Sequence, residues 1–304
     1  MTVLNALSID IEDYWSILSR DHLMIPDAEP TEAVVQNTEW FLEVLGRDNT
    51  KATFFILGEV ARAFPSLIAR IHHCGHEIGV HGFSHKQVFK LDQNQFRKEV
   101  DDCKKLLEDI ISSPVYGHRA PAFSIMPDTK WALEILAEAG FEYDSSIFPI
   151  SGSRYGWPGF SRDICTVQIS EEKNIIEVPL TTLDVFGRAL PVAGGGYLRH
   201  FPYWATKKAI TAVQRKRPVI VYMHPYEIEK ADILLDTSRL NRGGSRKVRR
   251  MHSLQLRNRH TVKRKLLQLL QDFKFTNLHQ LIKRNQEAIR ENIVVINQGF
   301  EGLK

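Results

Sequence analysis

Cysteine is scarce in this chain of 304 residues, and so are long apolar runs. Cys74, Cys103 and Cys165 are widely spaced and odd in number, which argues against a disulfide framework and makes a reducing compartment the expectation. They read as small buried hydrophobes. No stretch of about 18 uninterrupted apolar residues occurs, so no membrane span is expected. The opening "MTVLNALSIDIEDYW" lacks a cationic region followed by an apolar one, so no cleaved signal is expected and the protein is placed in the cytoplasm. What remains is ordinary: 43% hydrophobic and 25% charged residues, enough to bury a large core as one big domain or two small ones, a single domain over residues 1–304 being the expectation.

Acidic residues are missing from one segment. From Arg239 to Lys265 there are eleven Lys/Arg and no Asp/Glu, so against a net charge of +4 the rest of the chain sums to −7. Such a segment, with "GGSRKVRR" as its flexible part, favours phosphate-bearing partners: an anionic membrane surface to which the protein is peripheral, a lipid-linked glycan, or a nucleotide sugar. Nucleic acid is not the expected partner, and a solvated loop is the alternative. Beyond it, "TVKRKLLQLLQDFKFTNLHQLI" has helical amphipathicity and is expected to pack back on the domain.

Strand and helix patterns alternate along the chain. "LNALSIDI" reads as a buried strand, and "TEAVVQNTEWFLEVLG" as a helix stopping at Gly46. "KATFFILG" and "HEIGV" are further strands, separated by "EVARAFPSLIARIHHCG", a helix kinked at Pro65. Asp92 with Gln95 three residues on predicts a capped helix start, and Gly140 a helix end. The pattern implies a parallel α/β sheet or barrel, with the site in the loops after the strand C-termini. Those ends carry Asp10, Glu12 and Asp13; His81 and His85; His118 and Arg119; and His224. Acidic and imidazole side chains gathered at one rim are costly to bury unpaired, which points to a metal site.

"SIDIEDYW", "ATFFILG", "HEIGVHGFSH", "GHRAPAF" and "VIVYMHP", in that order, resemble the successive motifs of the polysaccharide deacetylase family, over about residues 3 to 228. "DIEDY" with "GGGYLR" looks most like its branch associated with exopolysaccharide or glycan biosynthesis. The resemblance implies a distorted (β/α) barrel and a divalent ion, Zn²⁺ by ligand type or a relative such as Co²⁺, held by His81, His85 and one carboxylate. It also implies removal of N-acetyl groups from an N-acetylated glycan or sugar nucleotide. Asp10 is the implied general base, oriented by Arg119, and His224 the implied general acid. A backbone N–H near Ala122 would steady the oxyanion.

The chain departs from the family pattern where Ile11 follows Asp10, so the carboxylate ligand is Glu12 or Asp13. Strand alternation favours Glu12, which falls on the same side as Asp10. Asp144 is either the partner that tunes His224 or the cap of its own turn, and the tryptophan expected just after it is absent. His76 reads as a structural histidine, and His72 and His73 as helix-end residues. Trp15, Tyr155, Trp157 and Tyr197 are candidates either for stacking on sugar rings or for core packing. "AGGGYLR" reads as a substrate-side loop, with Arg199 contacting an anionic substrate group. A cyclic amide or imide hydrolase and a non-catalytic glycan-binding scaffold are the alternatives to a deacetylase.

Overall fold

The computed structural model describes residues 3–152, 155–229 and 235–296. Its first strand, β1 (Leu4–Ile11), is buried along nearly its whole length because other strands pair with it on both edges. The chain continues through α1 (Tyr14–His22), α2 (Glu32–Arg47), β2 (Thr53–Ile56), α3 (Gly58–Ala63), α4 (Pro65–His73), β3 (Glu77–Val80), α5 (Gln93–Ile111), β4 (Gly117–His118), α6 (Trp131–Glu138) and β5 (Tyr143–Asp144). The second half holds β6 (Cys165–Gln168), β7 (Asn174–Glu177), a hairpin of β8 (Thr182–Val185) and β9 (Arg188–Pro191), α7 (Gly195–His200), α8 (Tyr203–Gln214) and β10 (Ile220–Met223). It ends with α9 (Arg242–Leu256), α10 (Val262–Asp272), β11 (Lys274–Thr276), α11 (Leu278–Arg284), α12 (Gln286–Glu291) and β12 (Ile293–Val295).

The sheet order is β10-β1-β2-β3-β4-β5-β7-β6-β12, with β11 also on β1. Every pairing in it is parallel except β6 with β7. Among the described residues no ladder joins β10 to β12, and the gap beside β10 is bridged by irregular chain instead: Ile220 N donates to Thr181 Oγ1 at 2.7 Å and Tyr222 N to Ala193 O at 3.1 Å. The result is a distorted (β/α) barrel, as the motif order implied.

Local chemistry explains the element boundaries. Asp92 and Gln95 form the expected reciprocal capping box at the start of α5. Pro65 opens α4 at its first turn, where its missing N–H has no helical partner to lose, so the kinked helix resolves into α3 and α4. Gly46 does not end α2; the helix runs to Arg47 and Asn49 takes the left-handed position at φ 52°. Gly79 and Gly117 face each other across β3 and β4. A Cβ on either would sit 2.6 Å or less from the Phe55 or Tyr143 ring, so both glycines make room for aromatics inside the barrel.

Two layers of core follow from strand alternation. Leu7, Ile9 and Ile11 face the helices, while Ala6 faces inward with Phe55, Tyr143, Val178 and Ile220. Leu278, Leu281 and Ile282 of α11 join that inner group and plug the N-terminal end. Ser8 and Asp10 follow Ala6 at alternate positions, so β1 carries polar groups up the barrel axis toward its C-terminal rim. Val262, Leu266, Leu269 and Leu270 of α10 lie in the main core.

Candidate active site

The rim gathers three potential metal ligands. Donor atoms of Glu12, His81 and His85 all lie within 4.8 Å of one another. Glu12 Oε2 stands 2.8 Å from His85 Nε2 and 3.7 Å from His81 Nε2. His81 extends the β3 ladder through its N–H to Ile56 O, and its Nδ1 lies 2.8 Å from Arg119 O. A proton on Nδ1 donated to that carbonyl leaves the Nε2 lone pair aimed at Glu12, an arrangement metal-binding histidines use. His85 reaches the same point from a left-handed backbone, φ 59°, which Gly82 at φ 77° helps to set up.

Electrostatics around the trio favour a cation. Burial alone would raise the Glu12 carboxyl, but His85 and His224, with hydrogen bonds from His81 and His85, outweigh it and hold it well below its ordinary value. Burial likewise would lower His85, and Glu12 overcomes it and raises the imidazole. The carboxylate thus draws positive charge into the space between the three donors. One carboxylate oxygen and two imidazole nitrogens suit Zn²⁺ or Co²⁺, with room for further ligands.

Asp13 is not part of this group, so of the two carboxylates the sequence left open it is Glu12 that stands with the histidines. Its Oδ1 accepts from Ser16 N at 2.7 Å, and its Oδ2 from Thr31 N at 3.0 Å and Thr31 Oγ1 at 2.5 Å. Asp13 caps α1 and ties down the start of α2, because the chain turns into a helix immediately after Glu12.

Asp10 stands beside the trio, clamped from below. Arg119 is fully buried; its Nη1 donates to Asp10 Oδ1 at 2.8 Å and to Ser8 Oγ at 2.7 Å, its Nε to Ser145 O and its Nη2 to Ser145 Oγ, both at 2.9 Å. The Phe55 ring lies 4.3 Å under the guanidinium carbon. With its fork occupied, Arg119 fixes one oxygen of Asp10 and leaves Oδ2 facing His224 Nε2 at 3.9 Å.

His224 closes the far side, its Nε2 3.6 Å from Glu12 Oε1. Burial would lower its imidazole, but the Glu12, Glu227 and Asp10 carboxylates push it up to about 9. Glu227, fully buried, presents Oε2 3.5 Å from His224 Nδ1 and accepts from His224 N at 3.0 Å. The sequence reading missed Glu227; the signal was its position three residues after His224 in "HPYE".

Asp144 is not the partner of His224. Its Oδ1 lies 2.7 Å from His118 Nδ1, and its Oδ2 accepts from Ser146 N at 3.1 Å, so it serves a buried histidine and its own turn. Arg199 is not a substrate contact either: it is buried, with Nε 3.2 Å from Glu227 Oε1. "AGGGYLR" is therefore no open loop but the start of α7. A Cβ on Gly195 would fall 1.6 Å from Glu227 Oε2, so glycine is needed for the backbone to pass that carboxylate.

Tyr197, in α7, is half-buried, and its hydroxyl is raised by burial and by the neighbouring Tyr155 hydroxyl. Trp157 is a core residue. Trp15 lines a cavity of about 140 Å³ with Glu12, Tyr14, Asn37 and Tyr226. Ala122, left-handed at φ 53°, lines a different one of about 460 Å³ with His22, Phe89 and Met126. His76 is structural: Ala52 N donates to its Nδ1 at 3.2 Å.

Sequence comparisons agree with this architecture. The family model described as "Polysaccharide deacetylase" matches residues 24–143, and "Domain of unknown function (DUF3473)" matches residues 145–283. The first span holds His81, His85 and Arg119, the second His224 and Glu227, and Asp10 and Glu12 precede both. A peptidoglycan-N-acetylglucosamine deacetylase from Bacillus cereus is 31% identical over 142 residues, 46% of either chain. A peptidoglycan deacetylase from Helicobacter pylori is 27% identical over 106 residues, 35% of either chain. The chain thus spans less than half the length of these curated relatives. A crystal structure of a "putative polysaccharide deacetylase" from Mycobacterium smegmatis shares the fold at a TM-score of 0.62 and 18% identity, covering 94% of this chain and 91% of that one. The chain thus carries a polysaccharide deacetylase domain over residues 24–143, followed by a domain of unknown function over residues 145–283.

Proposed function

We propose that the protein is a metal-dependent hydrolase that removes N-acetyl groups from an amino sugar in a polysaccharide, a lipid-linked oligosaccharide or a nucleotide sugar. One observation carries the reading: the Glu12–His81–His85 group has an Arg-clamped carboxylate, Asp10, on one flank and the His224 imidazole, backed by Glu227, on the other.

A divalent cation held by Glu12, His81 and His85 would polarise the acetyl carbonyl and acidify a water beside it. Asp10 takes the proton from that water as it attacks the carbonyl carbon, with Arg119 holding the carboxylate's position and charge. His224 then gives its Nε2 proton to the sugar nitrogen as the C–N bond breaks, releasing acetate and the free amine. Glu227 orients His224 from its Nδ1 side and balances the charge the ring carries. The cavity lined by Trp15 borders Glu12 and gives part of a sugar ring an aromatic wall beside the trio.

The test is acetate release from a panel of N-acetylated glycans and nucleotide sugars, with chelated enzyme and after Zn²⁺ or Co²⁺ is restored. Metal-dependent acetate is the expected result. Protein that holds one equivalent of metal and releases acetate from none of them would overturn the assignment.

A further inference from the structure

The basic segment divides into cations the fold uses and cations it does not. Lys265 Nζ caps the end of α7, donating to Leu198 O at 2.7 Å and Phe201 O at 2.9 Å. Arg259 is buried against Tyr226 O and Glu229. By contrast Arg242, Arg246, Lys247, Arg250 and Arg257 are exposed, and among the described residues none has a carboxylate within 4.0 Å. The stretch expected to be flexible, "GGSRKVRR", is helical in α9, with Asn241 capping it through Gly244 N at 2.7 Å.

Helix α9 has two faces. Its inner face buries Val248 against Leu18 and Leu23, with Met251, Tyr14 and Trp15 alongside, and His252 Nδ1 lies 3.1 Å from the Tyr14 hydroxyl. Gln255 hydrogen-bonds the Tyr226 hydroxyl. On the outer face Arg242, Arg246 and Arg250 recur every fourth residue in one row, which Leu254, 51% exposed, continues. Like charges four apart repel, and no acidic residue stands in the first turn, where the helix dipole is already positive. Alone, this arrangement works against the helix; an external layer of anions reverses the sign.

We propose that the outer face of α9 docks the protein on an anionic lipid bilayer. The row from Arg242 to Arg250 is about 12 Å long and straight, which fits several phosphates on a plane rather than a single one enclosed by converging donors. Leu254 and Met24, 65% exposed and joined to the segment by Arg239 Nη1 to Met24 O, place apolar tips beside the cations. Lipid headgroup regions accept such tips, whereas a nucleic-acid backbone has no use for them. Tyr14 and Tyr226 both contact the inner face of α9 and line the cavity that Glu12 borders, so the docking helix lies against the wall of the site. The proposal does not depend on the deacetylase reading, because its readout needs no turnover.

The full chain is sedimented with phosphatidylcholine vesicles and with vesicles doped with phosphatidylglycerol, at low and high salt. Binding to the anionic vesicles alone, weakened by salt, is expected. Each charge removed should lower partitioning about fivefold, so Arg242→Gln/Arg246→Gln/Arg250→Gln loses roughly a hundredfold with circular dichroism unchanged. Lys105→Gln/Lys208→Gln/Lys283→Gln, which removes the same charge from exposed sites elsewhere, should retain binding. No binding of the wild type, or equal loss in both triple variants, would overturn the proposal. Tighter retention by duplex DNA than by anionic vesicles at the same salt would reassign the face to nucleic acid.

Discussion

Glu77 and Glu12 lie at opposite ends of the same barrel, and their surroundings differ in kind. At the N-terminal end Glu77 accepts from Thr53 Oγ1 at 2.6 Å, the Tyr143 hydroxyl at 2.7 Å and His279 N at 3.1 Å, and α11 seals it from below. Around Glu12 the bonds are incomplete: among the described residues His85 Nδ1 and Arg199 Nη1 are buried without a hydrogen-bond partner, and Glu12 itself borders a cavity. A satisfied cluster rigidifies a fold. One with charge to spare and an opening is poised to bind and react.

The histidines repeat the contrast. His76, before β3 at the sealed end, is pushed down to about 4 by burial and by Lys51, while His224 at the open end is pushed up to about 9 by its carboxylates. Burial acts the same way on both; the difference is whether negative charge has been placed beside the ring.

The sharpest way to break the contrast is Asp10→Asn, expected to retain metal and lose 10²- to 10⁴-fold in kcat, an estimate for removing a general base. A rate near wild type would remove Asp10 from the chemistry. Next, Glu12→Gln and Asp13→Asn are compared by metal content: Glu12→Gln should lose the metal, and Asp13→Asn should keep it while giving up about 1 kcal/mol of stability as a weakened cap. Metal loss from Asp13→Asn alone would reverse the ligand assignment.

At the sealed end Glu77→Ala strands three donors and should cost about 2 kcal/mol in urea unfolding with kcat little changed. A loss of kcat without a loss of stability would show that the two ends are not separate. The smallest effect expected concerns pH. Because His76 takes a proton at about 4 when folded and near 6.5 when unfolded, the unfolded chain binds more protons in that window, so stability falls as pH drops. Between pH 7.5 and 5 its share is about 2 kcal/mol, and His76→Gln should remove most of that slope. An unchanged slope would exclude His76 as its source.

Much of the site was legible because its residues end strands. Asp10, His81, Arg119 and His224 sit at or within a residue of the ends of β1, β3, β4 and β10, with His85 four residues past His81, and parallel strands bring their C-termini to one rim whatever the details of packing. Glu227 and Arg199 were not legible in the same way, since nothing local distinguishes a buried carboxylate with an arginine behind it from a helix cap and a surface cation. Asp144 misled for a related reason: its partner, His118, is 26 residues away and becomes a neighbour only when β4 and β5 pair.

By itself the sequence determined the alternation of strands and helices in the first half of the chain, the gathering of acidic and imidazole residues after strand ends, and the excess of positive charge in one segment. These are properties of apolar periodicity and residue type, which short stretches of chain carry alone. Only the tertiary structure decided that Glu12 and not Asp13 faces the two histidines, that Glu227 stands behind His224, and which cations of the basic segment face solvent. Those choices depend on where side chains distant in sequence come to rest, and therefore on how the barrel closes.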